Sequence, residues 1–330
     1  MSLLICLLLS TYPAPPSSRW QVSFKADIAL VLSDGVSVFF AGNQLYTYDP
    51  VGNPLLKNSL EFEPALAFVG PEGFIWVHDG EGLLGRLNSN YNLAWQRELA
   101  PPTLTPFVFS ELAVYVAGQD IFLLDPREGQ ARYSRRSAVD VRSIVALESW
   151  LLLSHGQDEV LAWDPVQDLE EVRYEGKNSD VSFAVPGPPG ELALVQPWGR
   201  LAVMTREEKP RWHRMHRIDI AVPPVWLPYK KKQQLIVATH GRRIYAYGHR
   251  GEILAQTLVS ARIQALIPFW GNRILAVPQH HDELVWYDGN SCGFLLEPLK
   301  SKVRLLAHRG DFVLLVQYDD MIKLFRSSSP

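Results

Sequence analysis

Short runs rich in Val, Ile, Leu, Phe and Tyr recur along this chain, separated by Gly, Pro, Asn or Asp, and the runs fall into groups of four. Runs of that length bounded by turn formers predict strands, and no stretch carries the spacing of an amphipathic helix. The clearest groups share an ending: Leu45–Pro50 is LYTYDP, Ile121–Pro126 is IFLLDP, Val160–Pro165 is VLAWDP and Leu284–Gly289 is LVWYDG. Each is an apolar strand stopped by an Asp (Asp49, Asp125, Asp164, Asp288). Its carboxylate can accept from a backbone N–H two residues on, and a following Pro presets φ for the turn.

Aligning Asp49, Asn88, Asp125, Asp164, Thr205, Gly248, Asp288 and Arg326 gives intervals of 39, 37, 39, 41, 43, 40 and 38 residues. A period of about forty residues belongs to propellers or solenoids, and four strands per unit select the propeller. The expected fold is all-β, an eight-bladed propeller of four-stranded antiparallel blades. Lettering the strands A to D outward from the axis, A strands are expected to begin near Ile28, Pro64, Thr105, Arg142, Val181, Pro224, Arg262 and Val303. The last unit lacks a D strand, whereas Arg19–Phe24 (RWQVSF) precedes the first A strand and resembles the D strands Ala94–Leu99 (AWQREL) and Arg211–His216 (RWHRMH). The N-terminal strand is therefore expected to complete blade 8, closing the ring and leaving no free end blade.

Asp-led turns at the strand ends, with Trp95 and Trp212 each seven residues past an aligned strand end, resemble the repeat of quinoprotein-like (PQQ-like) β-propellers, in which an Asp-led turn is followed by Trp. Trp20 occupies the matching D strand at the N-terminus. The resemblance covers almost the whole chain. It departs at blade 2, which has Asn at the turn, at blades 5, 6 and 8, which lack the Asp, and in the absence of a Thr-Gly after it. It implies that these Trp residues pack between neighbouring blades. The quinoprotein dehydrogenases of the family hold their quinone and Ca²⁺ with a vicinal disulfide and a larger propeller; this chain has no adjacent Cys pair, so no cofactor is expected. The likeness is to the non-enzymatic branch that includes the outer-membrane assembly propeller lipoprotein.

Composition fits one domain, residues 19–330, in a chain that is 47% hydrophobic with a net charge of −3. That balance argues against a generally basic nucleic-acid binder. Residues 206–250 nevertheless carry 11 Lys and Arg against 3 acidic residues, a local +8 that leaves −11 elsewhere. Such asymmetry suits an acidic partner, or else a solvated sector, since Lys230–Lys232 and Arg242–Arg243 fall in turns on opposite faces. The Pro-rich stretch Val185–Gly190 (VPGPPG) reads as a loop between an A and a B strand.

Residues 1–18 look different. Leu3–Leu9 is a seven-residue apolar run with no Lys or Arg before it, followed by Pro13, Pro15 and Pro16. It reads as a leader-like or disordered N-terminal segment, too short to span a bilayer. Export, for example to a periplasm, is the favoured localisation, with a cytoplasmic one as the alternative. Cys6 and Cys292 have no metal-ligand spacing, and Cys292 has no partner once a leader is removed.

Catalytic signatures for nucleophile elbows, P-loops and zinc proteases are missing. Gly80–Gly85 (GEGLLG) matches a dinucleotide fingerprint, but it leads into a strand rather than a helix and reads as a glycine-rich turn. His213 and His216, three apart in a strand, point to opposite faces. A denser polar group is formed by His280, His281, Asp282 and Glu283 in the B-to-C turn of blade 7, with His240, Arg242 and Arg243 in that turn of blade 6. Both turns open on the mouth face, so these residues are candidates for metal chelation or anion binding. Two functions stay open: a non-catalytic scaffold binding protein partners in a cell-envelope or other assembly, and a small-ligand or metal-binding propeller with hydrolase or lyase activity.

Overall fold

The computed structural model describes residues 18–23, 26–155, 159–175, 180–188, 191–205, 209–230, 232–269, 272–279, 282–299, 301–309, 312–317 and 321–326. They form eight four-stranded antiparallel sheets, each ordered as its strands follow in sequence except the last. Blade 2 is typical, with Leu66–Val69, Ile75–His78, Leu83–Leu87 and Leu93–Glu98 as strands A to D. In blade 8, Val303–Arg309, Phe312–Gln317 and Met321–Arg326 are joined on the outside by the N-terminal strand Ser18–Ser23. Trp20 lies opposite Leu324 in that strand, and its side chain lies outside the described residues.

The core is divided among the seams rather than gathered at one centre. Each of eight buried clusters draws on two neighbouring blades. Both faces of a B strand are therefore buried, and period-2 alternation sends successive residues to opposite seams. In Leu112–Ala117, Ala113 and Tyr115 join the seam with blade 2, whereas Val114 and Val116 join the seam with blade 4. This explains why the strands read as continuous apolar runs. The closing seam is built the same way, with Ala29 and Phe39 of blade 1 against Leu314 and Leu324 of blade 8.

A strands begin at Ile28, Leu66, Phe107, Ser143, Phe183, Val225, Ile263 and Val303, within two residues of the expected positions. One stretch differs from the sequence reading. Val185 and Pro186 belong to strand A of blade 5 rather than to a loop. Pro186 is tolerated because it is the last residue of the strand, where one fewer N–H disturbs little of the ladder. Two single 3-10 turns, Pro71–Gly73 and Pro197–Gly199, are the helical elements among the described residues.

The C-to-D turns repeat one device. Asp49, Asn88, Asp125, Asp164 and Asp288 each accept the backbone N–H two residues on, at 2.7–3.0 Å. At Asp49 the side chain of Asn53 adds a bond of 2.8 Å and is the main reason the carboxyl lies below its ordinary pKa. Burial pushes Asp125 up, but the Arg127 N–H and the Arg132 side chain outweigh it and hold that carboxyl low as well. Blade 6 has Gly248 in place of the Asp, and the carboxylate of Glu252 fills the space a side chain would need and accepts the Arg250 N–H at 2.9 Å.

These turns are also where blades lock together. Trp95 of blade 2 lies over Gly129 in the turn of blade 3, and Trp212 of blade 5 lies over Gly251 in the turn of blade 6; a Cβ on either glycine would meet the ring at 2.7–2.8 Å. Two residues past each Trp, Arg97 donates to the Gly129 carbonyl and Arg214 to the Gly251 carbonyl, the latter at 2.6 Å. Asn58 makes the equivalent bond from blade 1 to the Tyr91 carbonyl at 2.9 Å. Arg135 crosses the next seam to pair with Glu170. Tyr91, Gly129 and Gly251 all have positive φ (58°, 69° and 77°), which aims their carbonyls at the neighbouring blade. A register shift in the C–D pairing just before Trp95 and Trp212 marks a bulge that sets each ring at the seam.

Candidate functional site

The mouth face carries the B-to-C turns and the D-to-A connectors. Of the residues singled out from sequence, His280 and His281 lie outside the described residues. His240, Arg242 and Arg243 occupy the blade 6 turn, and Asp282 and Glu283 the blade 7 turn. Arg242 and Glu283 meet on one residue of the connector between these blades: Arg242 Nη1 donates to the Ser260 carbonyl at 3.2 Å, and Glu283 Oε1 accepts the Ser260 N–H at 3.2 Å and its hydroxyl. Their charged ends thus brace the loop. Arg243 is exposed, and its backbone carbonyl accepts the Thr239 N–H. Asp282 contributes its backbone carbonyl to Leu299. Burial, then the nearby Arg262, pushes the His240 imidazole below its ordinary pKa, and Asp219 opposes this. Among the described residues no group of three or more His, Cys, Asp and Glu could hold a metal ion.

His78 and His216, elsewhere on the mouth face, are structural. Buried His78 is satisfied on both nitrogens: Nδ1 accepts the Gly80 N–H at 2.8 Å and Nε2 faces the Leu99 carbonyl at 2.8 Å, which fixes a neutral Nε2–H tautomer. Beside it, Asp79 Oδ1 accepts three successive N–H groups from Glu81 to Leu83 at 2.8–2.9 Å. The glycine-rich stretch is thus a self-capped turn running into a strand. His213 is exposed, whereas His216 packs against Tyr245 and Tyr247, with ring centroids 4.7 and 5.8 Å away. Burial pushes its pKa down to about 4, so it stays neutral near pH 7.

Blades 5 and 6 place together residues the repeat did not single out. Trp198, in the Pro197–Gly199 turn, is 75% exposed, while Trp76, Trp163, Trp212 and Trp286 are buried. Its φ of +61° is a strained value for a bulky residue. The turn is pinned: the Trp198 N–H donates to Asp219 Oδ1 at 2.6 Å, and the His216 N–H to the Gly199 carbonyl at 3.0 Å. Gly199 sits so close to the Ile218 carbonyl that no side chain fits there. Ile218 (48% exposed) leans over Gly241 of the blade 6 turn, and Met215 (56% exposed) pairs across from Arg200 at the end of strand D. Around this apolar group stand the exposed Arg200, Arg217, Arg242, Arg243 and Arg262. Of these, Arg217, Arg242 and Arg243 belong to the +8 stretch of residues 206–250, whose Lys230 and Lys232 lie instead at an A-to-B turn. Trp198 left a fainter sign, a Trp inside a Pro-Trp-Gly turn where alternation no longer dictates which way it points.

No family model matches this chain, and a search of curated proteins finds no match. Solved structures do. BamB from Moraxella catarrhalis superposes with a TM-score of 0.70 at 13% identity, over 95% of this chain and 98% of that one. Sqt1 of Saccharomyces cerevisiae gives 0.71 at 11% identity, over 96% and 100%. The computationally designed Ika8 protein gives 0.68 at 14% identity, over 92% and 98%. Likeness at such identities speaks to the fold, and the fold is the eight-bladed β-propeller. Among the described residues no helix is long and apolar enough to cross a membrane.

Proposed function

We propose that this chain is a non-catalytic scaffold for protein–protein interaction, acting in a cell-envelope or other multiprotein assembly. The observation that carries this reading is Trp198, a large ring held out to solvent by a pinned, strained turn on an otherwise well-packed ring. An exposed aromatic beside further apolar side chains is what protein-binding surfaces present. The small-ligand alternative draws less support, because Arg242 and Glu283 are engaged with Ser260. We place the protein beside the PQQ-like propellers on the Trp95 and Trp212 packing, with residues 19–330 as one domain, residues 1–18 as a leader and a periplasmic or otherwise exported location.

Affinity isolation of the tagged full chain from its source cells, with mass spectrometry of the mature N-terminus, tests the reading. The expected result is a stoichiometric protein partner and a trimmed leader. Recovery of the chain alone after cross-linking in intact cells would overturn the scaffold role.

A further inference from the structure

The scaffold reading leaves the partner open, and the blade 5–6 surface narrows it. Three observations converge there. Trp198, Ile218 and Met215 are all exposed along the end of blade 5 and its connector to blade 6. Arg217, Arg243 and Arg262 are exposed on the same face, with Arg242, whose guanidinium donates to the Ser260 carbonyl, beside them. The acidic residue next to Ile218, Asp219, has a carboxylate oxygen bonded to the Trp198 N–H.

Resting on the scaffold reading, we infer that this surface docks an extended, acidic segment of another protein, one that inserts a single aromatic or large aliphatic side chain against Trp198 and Ile218 while flanking carboxylates meet the arginines. Trp and Arg are the residues most often found at energetic centres of interfaces, and the planar guanidinium suits bidentate contact with carboxylates. The pinned backbone gives preorganisation: Asp219 and Gly199 fix the turn before any partner arrives, so little ordering entropy remains to be lost on binding. A protein segment is favoured over nucleic acid because the ring is flanked by aliphatic Ile218 and Met215 rather than by a row of aromatics on which bases stack.

The test selects random twelve-residue peptides displayed on phage against the purified full chain, then titrates fluorescein-labelled copies of the enriched peptides. The expected result is an acidic consensus around one aromatic or large aliphatic residue. Affinity should fall by at least about tenfold in Trp198→Ala and again in Arg217→Glu/Arg262→Glu, and should weaken with added salt. No enrichment, a consensus without acidic bias, or unchanged binding to Trp198→Ala overturns the proposal. Tighter, Trp198-dependent binding of labelled oligo-dT also overturns it, in favour of nucleic acid. The same variants in affinity isolation separate the two readings. A cellular partner that both variants retain leaves the scaffold role intact and removes this site, whereas no partner for the wild type removes the scaffold role itself.

Discussion

The contact between Trp212 and Gly251 makes a quantitative prediction about how one blade holds the next. Trp212 is 7% exposed, so Trp212→Ala is expected to cost about 3–5 kcal/mol. Gly251 has a φ of +77°, and a Cβ placed there would lie 2.8 Å from the indole. Gly251→Ala is therefore expected to cost about 1–2 kcal/mol for the left-handed backbone and about 1–3 kcal/mol more for overpacking. With the indole gone, the second cost disappears while the first remains. In the Trp212→Ala background, Gly251→Ala should thus be cheaper by about 1–3 kcal/mol. Urea unfolding followed by far-UV circular dichroism is the assay, since fluorescence would change with the Trp itself. An unchanged slope against urea checks that the variants unfold by the same transition. Costs that add to within about 0.5 kcal/mol would show that ring and glycine are not coupled, and the interblade lock would have to be abandoned.

Two further predictions follow from the same structure. Burial holds His216 at about 4, below its ordinary value of 6.5, so the unfolded chain takes up a proton at a pH where the folded one does not. Stability should be fully present above about pH 6.5 and decline as pH falls toward 4, by at most about 3 kcal/mol, or about 1–2 kcal/mol after discounting for partial solvent access. His216→Phe should flatten this part of the profile measured by thermal melting, and an unaltered profile counts against the assignment. Removing residues 1–23 deletes the outer strand of blade 8 and bares the edge of Met321–Arg326. The truncated protein should melt at a lower temperature and associate at high concentration by light scattering; a monomer as stable as the full chain would refute strand closure.

What was legible in the sequence tracks what repetition enforces. Strand positions follow from the four apolar runs per unit, and the role of Ser18–Ser23 follows from counting one strand short at the C-terminus. The Asp turns could be read locally because an Asx turn is closed by residues within four positions of its own carboxylate. The lock was half visible: Trp95-Gln96-Arg97 and Trp212-His213-Arg214 share a pattern, but the targets of their arginines, Gly129 and Gly251, sit some thirty-five residues away and become neighbours only when blades stack. Glu252 shows another limit. Its carboxylate replaces a missing Asp from four residues downstream, a substitution of function without identity that alignment by residue type overlooks.

The two faces of the ring differ in a way that bears on where function resides. On the face with the C-to-D turns, side-chain capping recurs in five blades, carbonyl capture at three seams and ring-over-turn packing at two, and chemistry that repeats in this way is explained by holding the seams. The mouth turns do not repeat: blade 2 uses a satisfied His78 and a capping Asp79, blade 6 an Arg242 tied to Ser260, and blade 5 a Pro-Trp-Gly turn. The first two close their own hydrogen bonds and so account for themselves structurally. Trp198 does not, because its ring is 75% exposed and gains little from burial. A large ring that returns little to the packing of the folded chain is where an interaction with another molecule is to be sought first. Blade 5 therefore ranks above the histidine-bearing turns that the sequence alone brought forward.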